Sequence, residues 1–174
     1  MTVRMKTICS WRAEKKYPRP AMARLKKLSE KAAGITGSGI ANELSLNFVG
    51  AKEMAEINET FVGHQGPTDV ICFDYRESKS ELPDEKDEDS VEVEIIVCPE
   101  VARREAEKRS LPYSREVVLY LVHGLLHASG EDDLKPELKR KMRRREHKTM
   151  NELEKLFTFS DIFPEPVLMG DTHT

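Results

Sequence analysis

Two histidines, His123 and His127, stand four residues apart in the segment His123-Gly-Leu-Leu-His127-Ala-Ser-Gly130-Glu-Asp-Asp133. The run from Val117 to Leu126 that carries them is rich in Val, Leu and Tyr and contains no Pro, so it reads as a buried helix. At 3.6 residues per turn, positions i and i+4 share a face, and both imidazoles can reach one cation at the ~2.0–2.1 Å of a zinc–nitrogen bond. Gly130 follows three residues later, where a helix C-terminus favours a left-handed residue. The chain can then reverse and return Asp132 or Asp133 to the same point. Two imidazoles and one carboxylate leave a fourth position open, which is the pattern of a catalytic rather than a structural zinc site. Ordinary core histidines share this spacing, since five His in 174 residues produce such a pair by accident in roughly one chain in seven. Gly124 bears on the choice: glycine inside a helix costs about 1 kcal/mol relative to Ala and suggests close approach by backbone or ligand.

The elements that must position this segment follow from periodicity. Val3 to Cys9 reads as a short strand, Pro20 to Lys31 as a helix with Met22, Leu25 and Leu28 on one face, and Gly34 to Gly39 as a turn. Glu43 to Val49 alternates Leu44, Leu46 and Phe48 with Ser45 and Asn47, the period of a half-buried strand. Ala51 to Asn58 is a brief helix, Gly63 to Pro67 a loop, and Asp69 to Tyr75 and Val91 to Val97 are two further strands. Pro99 to Ser110 is a helix opened by Pro, and Ser114 to Ser129 is the histidine helix with Ser114 as its cap. Leu138, Met142, Met150, Leu153 and Leu156 mark a final helix. Four strands with helices around them predict an α+β fold, a small mixed four-stranded sheet with packed helices and the zinc-binding helix in a cleft. Residues 1–157 make a single domain, and 158–174, with two prolines and no clear period, are an unassigned C-terminal tail.

With 39% hydrophobic residues the chain can bury one proper core. No 18-residue apolar span exists, and Met1 to Lys16 lacks a signal-peptide pattern, so a cytoplasmic protein without a membrane partner is expected. Cys9, Cys72 and Cys98 form no CxxC and fit buried thiols in a reducing compartment. The net charge of −3 excludes a strongly basic nucleic-acid binder, but the charge is unevenly spread. Glu77 to Glu94 holds nine acidic residues against two Lys and reads as a solvated loop. Lys135 to Lys148 holds eight Lys and Arg against two Glu, and reads either as a solvated helix face or as a surface for phosphates.

Taken together, the glycine-interrupted HGLLHASG with acidic residues after it, Asn58 to Phe73 (NETFVGHQGPTDVICF) and Pro99-Glu-Val-Ala102 resemble the YbeY family of rRNA maturation factors, from about Leu44 to Leu156. The resemblance implies a zinc-dependent, single-strand-specific endoribonuclease domain over 1–157 with one Zn2+ per chain. It further implies action in rRNA maturation and ribosome quality control, single-stranded rRNA as substrate, the small ribosomal subunit as partner, and no nucleotide cofactor. The family's three metal-binding histidines fall on His123, His127 and, as a departure, Asp133. An Asp oxygen binds zinc at a comparable ~2.0–2.2 Å but lowers the formal charge of the site by one, so bound water is less acidified. A cleft-lining family arginine falls on Val62, which cannot stabilise charge developing on a phosphodiester. Arg115 and Arg76 are the candidates to replace it.

The chemistry these residues support is metal-assisted phosphodiester hydrolysis, with the metal on His123, His127 and Asp133 as Lewis acid and nucleophile source. Attack by the substrate's own 2′-hydroxyl is an equal alternative. Glu131 and Asp132 join the two histidines as catalytic candidates, for proton transfer or for bonds that orient the imidazoles; both also read as a solvated acidic turn. Thr68 and Asp69 are candidates for the cleft wall, or for local capping. His147 competes with Asp133 as third ligand, and its place on a basic helix face favours Asp133. Two other functions fit parts of the pattern. A metalloprotease needs Glu directly after the first His, where this chain has Gly124. A non-catalytic RNA-binding ribosome-assembly factor would use the basic helix for RNA and the metal for stability.

Overall fold

The structure, a computed structural model, describes residues 5–76 and 90–166. Strands β1 (Lys6–Arg12), β2 (Glu43–Val49), β3 (Val70–Asp74) and β4 (Val93–Val97) form one sheet in the order β1-β2-β4-β3. β1, β2 and β4 run parallel and the edge strand β3 antiparallel, so the sheet is mixed as expected. Parallel neighbours need long crossovers. Helix α1 (Met22–Thr36) supplies the first; α2 (Ala51–Ile57), the π-helical turn Asn58–Val62 and β3 together supply the second.

Alternation along the strands sorts two cores. Leu44, Leu46 and Phe48 of β2 and Val93, Ile95 and Val97 of β4 turn to one face, fully buried against α1 and the histidine helix α4 (Tyr113–Ala128). The opposite face carries a smaller cluster of Val49, Met54, Ile71, Ile96 and Cys98 beside α2. α3 (Pro99–Arg109), α5 (Pro136–Leu156) and α6 (Phe159–Ile162) complete the chain. In α4 the residues Val117, Val118, Leu121, Val122, Leu125 and Leu126 are all solvent-free. Each such side chain contributes about 1.5–3 kcal/mol, so packing on the sheet holds α4 in place. A Cβ on Gly124 would lie 2.9 Å from Ile95 Cγ2. The close approach that Gly124 signals is thus made by a strand side chain, and it seats the helix turn carrying His123 directly on β4.

Several boundaries differ from the expected ones for physical reasons. β1 runs to Arg12 because it pairs residue for residue with β2, Lys6 with Glu43 through Arg12 with Val49; Val3 and Arg4 lie outside the described residues. α1 continues through the expected turn, since Ala32, Ala33 and Thr36 are buried, and stops at Gly37 with φ 67°. Ser114 is not the cap of α4: the helix begins one residue earlier, with Pro112 at the cap position, and Ser114 is buried inside the first turn. The stripe on α5 ends at Leu153, and Leu156 is exposed. The segment left unassigned after residue 157 delivers Phe159, Ile162 and Phe163 to the main core, with the Phe163 ring 5.7 Å from Phe48. Most of the acidic run, residues 77–89, lies outside the described residues. Of its described acidic residues only Glu94 lies in the sheet, where it accepts from Asn47 and Tyr75; Glu92, just ahead of β4, accepts the Asn42 N–H at 2.7 Å. Among the described residues no helix is long and apolar enough to cross a membrane.

Candidate metal centre

His123 and His127 project from one face of α4, with side chains 24% and 31% exposed. The helix ends in a tight reversal. Gly130, at φ 104°, donates its N–H to His127 O at 3.0 Å, and Glu131 N–H bonds Leu126 O at 3.0 Å. This reversal returns Asp133. His123 Nε2 lies 3.1 Å from His127 Nε2 and 3.6 Å from Asp133 Oδ2, and His127 Nε2 lies 3.9 Å from that oxygen. Bonds of 2.0–2.2 Å in tetrahedral geometry place ligand atoms about 3.3–3.6 Å apart, so the three atoms suit a single small cation. Among the described residues no fourth His, Cys, Asp or Glu joins them.

The other ring nitrogens are already engaged. His123 Nδ1 bonds the Glu146 carboxylate, and His127 Nδ1 bonds the backbone carbonyl of Glu131 at 3.1 Å. Both acceptors require N–H at Nδ1, which leaves the Nε2 lone pairs facing the cluster, the usual arrangement behind a metal-binding imidazole. Burial of His123 opposes its charged form, but the Glu146 hydrogen bond and the charges of Glu146, Asp69 and Asp133 outweigh it, so its pKa lies above the ordinary imidazole value.

The cluster borders a cleft of about 630 Å³, whose lining includes His123 and Asp133. Thr68 and Asp69, ahead of β3, belong to the lining; α3 contributes Val101, Glu105 and Arg109; α4 adds Leu119 and Tyr120; α5 brings Lys139, Met142, Arg143 and Glu146. Thr68 and Asp69 therefore take both roles considered for them, because Asp69 Oδ1 also accepts from Thr68 Oγ1 at 3.2 Å and from Val70 N–H at 2.8 Å.

The carboxylates of Glu131 and Asp132 do not line this cleft. That of Glu131 is 9% exposed and bound to Arg145 Nη1 at 2.7 Å, and Asp132 Oδ1 accepts the Leu134 N–H at 3.0 Å. Only the Glu131 carbonyl serves a histidine. His147 is exposed on α5 and takes no part in the cluster. Neither stand-in for the arginine absent at Val62 reaches the cleft. Arg76 is held by Asp74 and by the carbonyls of Ser38 and Ala128, and Arg115 pairs with Glu154. Val62 itself is 41% exposed and absent from the lining.

Glu146 is the functional side chain that sequence reasoning missed. A signal existed: Met142, Glu146 and Met150 fall at i, i+4 and i+8, which puts a carboxylate on the apolar seam of α5, where it must find a partner. The pairing of Arg145 had no such signal. It donates to Glu131, Ser129 Oγ and Thr36 O, tying α5 to the metal-side turn and to α1.

Residues 10–154 match the sequence profile of the family described as Endoribonuclease YbeY. Among similar curated proteins, Endoribonuclease YbeY of Frankia alni is 38% identical over 104 residues, covering 58% of this chain and 57% of that protein. The protein of the same name from Nocardioides sp. is 37% identical over 100 residues, covering 58% and 67%. That of Desulfitobacterium hafniense is 36% identical over 124 residues, covering 71% and 79%. The match thus spans little more than half the length of the Frankia relative and about two thirds of the Nocardioides one. The solution structure of TM1509 from Thermotoga maritima shares the fold, at a TM-score of 0.51 and 21% identity over 94% of this chain and 99% of that one.

Proposed function

This chain belongs to the YbeY endoribonuclease family, and from that premise we propose that it is a zinc-dependent endoribonuclease. Its substrate is single-stranded rRNA during maturation and quality control, its partner the small ribosomal subunit, and no nucleotide cofactor takes part. The observation that carries this reading is the convergence of His123 Nε2, His127 Nε2 and Asp133 Oδ2 beside an open cleft, with both Nδ1 atoms already engaged. Two imidazoles and a carboxylate are a donor set that suits zinc. A cation held there by His123, His127 and Asp133 would supply Lewis-acid polarisation of a phosphoryl oxygen and would acidify water.

The protein's own groups do the positioning. Glu146 orients His123, and the Glu131 carbonyl orients His127. Asp132 shapes the turn that delivers Asp133. Asp69, on the cleft wall, is better placed than Glu131 or Asp132 to take a proton from the attacking oxygen. A protease reading has no support, because the position after His123 is Gly124, packed against Ile95. Three free cysteines support a cytoplasmic setting.

The test is cleavage of a labelled single-stranded RNA by zinc-loaded protein and by His127→Ala. Internal cuts are expected from the former, with at least a hundredfold loss in a folded variant. Zinc-loaded protein that binds this RNA and leaves it intact would overturn the enzymatic reading in favour of a non-catalytic assembly factor.

A further inference from the structure

The eight basic residues between Lys135 and Lys148 separate by what they touch. Arg145 and Lys141 are spent on Glu131, at 2.7 and 3.6 Å. Lys135, Arg140, Arg144 and Lys148 are exposed and lie off the cleft. Lys139 and Arg143, one helical turn apart on α5, line the cleft together with Glu146 of the same helix. No hydrogen bond or ion pair engages either of them among the described residues. The third cation of the lining differs: Arg109 lies 3.4 Å from the buried Glu116 carboxylate and 3.9 Å from that of Glu105.

From this we infer that Arg143, assisted by Lys139, contacts the phosphodiester of the bound RNA and is the substrate-binding guanidinium of this cleft. The inference rests on the endoribonuclease reading above and adds a residue to it. Unpaired cations lining a cleft that also holds Asp69, Glu105, Asp133 and Glu146 invite a simpler account, in which they merely offset those acids. Offsetting would bring them into ion pairs, and they form none. Glu146 is taken by His123, Glu105 by Arg109 and Lys108, and Asp133 belongs with the two imidazoles. Once a divalent cation neutralises the cluster, the charges of Lys139 and Arg143 face an anion supplied from outside. A guanidinium presents its donors in a planar fork that fits two phosphate oxygens, so Arg143 outranks Lys139. Arg76 and Arg115 cannot compete, being held by Asp74 and Glu154.

The experiment compares Arg143→Ala, Arg143→Lys and Lys139→Ala with Arg144→Ala, which removes the neighbouring outward charge. Two readouts are taken on zinc-loaded protein, after metal content and folding are verified. One is kcat at saturating single-stranded RNA. The other is anisotropy of a 2′-deoxy oligonucleotide of the same sequence, checked to stay intact during the measurement, across a salt series. Arg143→Ala should lower kcat by about 10²-fold, the loss seen when one transition-state donor is removed, with part of it regained by Lys. It should also flatten the slope of log affinity against log salt by about 0.7 for the lost phosphate contact. Arg144→Ala should leave kcat unchanged. Equal kcat in Arg143→Ala and wild type, or a loss that Arg144→Ala reproduces, overturns the inference. Wild-type protein that fails to cut overturns the endoribonuclease reading instead; the salt slopes of the oligonucleotide then decide alone whether Arg143 binds phosphate.

Discussion

At the scale of single residues, the proposed metal site rests on groups that would not touch a cation held there. Glu146 holds His123 at Nδ1, so Glu146→Ala should weaken zinc affinity by about 10–100-fold, as loss of such an orienting partner does. Glu146→Gln keeps an acceptor and should recover most of the loss; chelator competition measures both. Equal losses would mean that the charge of Glu146 matters and its hydrogen bond does not. The third ligand is tested the same way: Asp133→Ala should strip the metal and His147→Ala should not, read by elemental analysis of purified protein. The thiols follow burial. Burial pushes the Cys9 thiol up to about 11 and also raises that of Cys98, so their thiolate populations at pH 8 fall below that of an open cysteine. Alkylation of both should be at least tenfold slower in native than in unfolded protein, followed by mass spectrometry.

At the scale of elements, the seating of α4 on β4 decides where the imidazoles stand. Gly124→Ala would gain about 1 kcal/mol of helix propensity. It would also press a methyl to within 2.9 Å of the branched Ile95 side chain, and overpacking of this kind costs about 1–3 kcal/mol. A net loss of stability is expected by denaturant titration, together with weaker metal binding as the His123 turn lifts. Ile95→Ala in the same chain should recover part of the metal affinity although it destabilises by itself. A Gly124→Ala protein as stable as wild type would show that the helix can shift at no cost. The reversal after α4 is a second such element. Its Gly130 and the Arg145 latch bring Asp133 back, which is why Glu131 and Asp132, nearer in sequence to the histidines, are used by the turn itself.

At the scale of the whole molecule, a cation held by His123, His127 and Asp133 would join the end of α4 to the turn, and through Glu146 to α5. A ligand that binds only the folded chain stabilises it by about 2.7 kcal/mol at a hundred times its Kd. For a chain of this size that corresponds to a Tm higher by about 5–10 °C. Zinc addition to chelator-treated protein should produce this rise in a thermal scan, and His123→Ala should abolish it. The core extends past α5: Phe163 is fully buried against Phe48, so Phe163→Ala should cost about 3–5 kcal/mol. A variant with unchanged stability would leave α6 as an appendage.

The sequence by itself determined what local chemistry controls. The strand over Glu43 to Val49, the Pro at the start of α3, the i, i+4 histidines and the glycine reversal after them are each set within a few residues by backbone sterics and periodicity, and all are found in the structure. β2, read as half-buried, is instead a central strand with Glu43, Asn47 and Val49 buried as well, because helices cover both faces of the sheet. Gly124 was legible as a close approach, but the partner was not, because Ile95 lies on a strand almost thirty residues away. Among the three neighbouring acids the family resemblance points to Asp133, whereas periodicity alone leaves Asp132 and Asp133 open. Tertiary packing alone decided that Glu146 backs His123, and that the basic run divides into a latch, a cleft wall and a solvated face. A helix projects its side chains every 100°, so adjacent residues such as Arg143, Arg144 and Arg145 have identical chemistry in sequence and acquire different roles only when α5 is laid against α1 and α4.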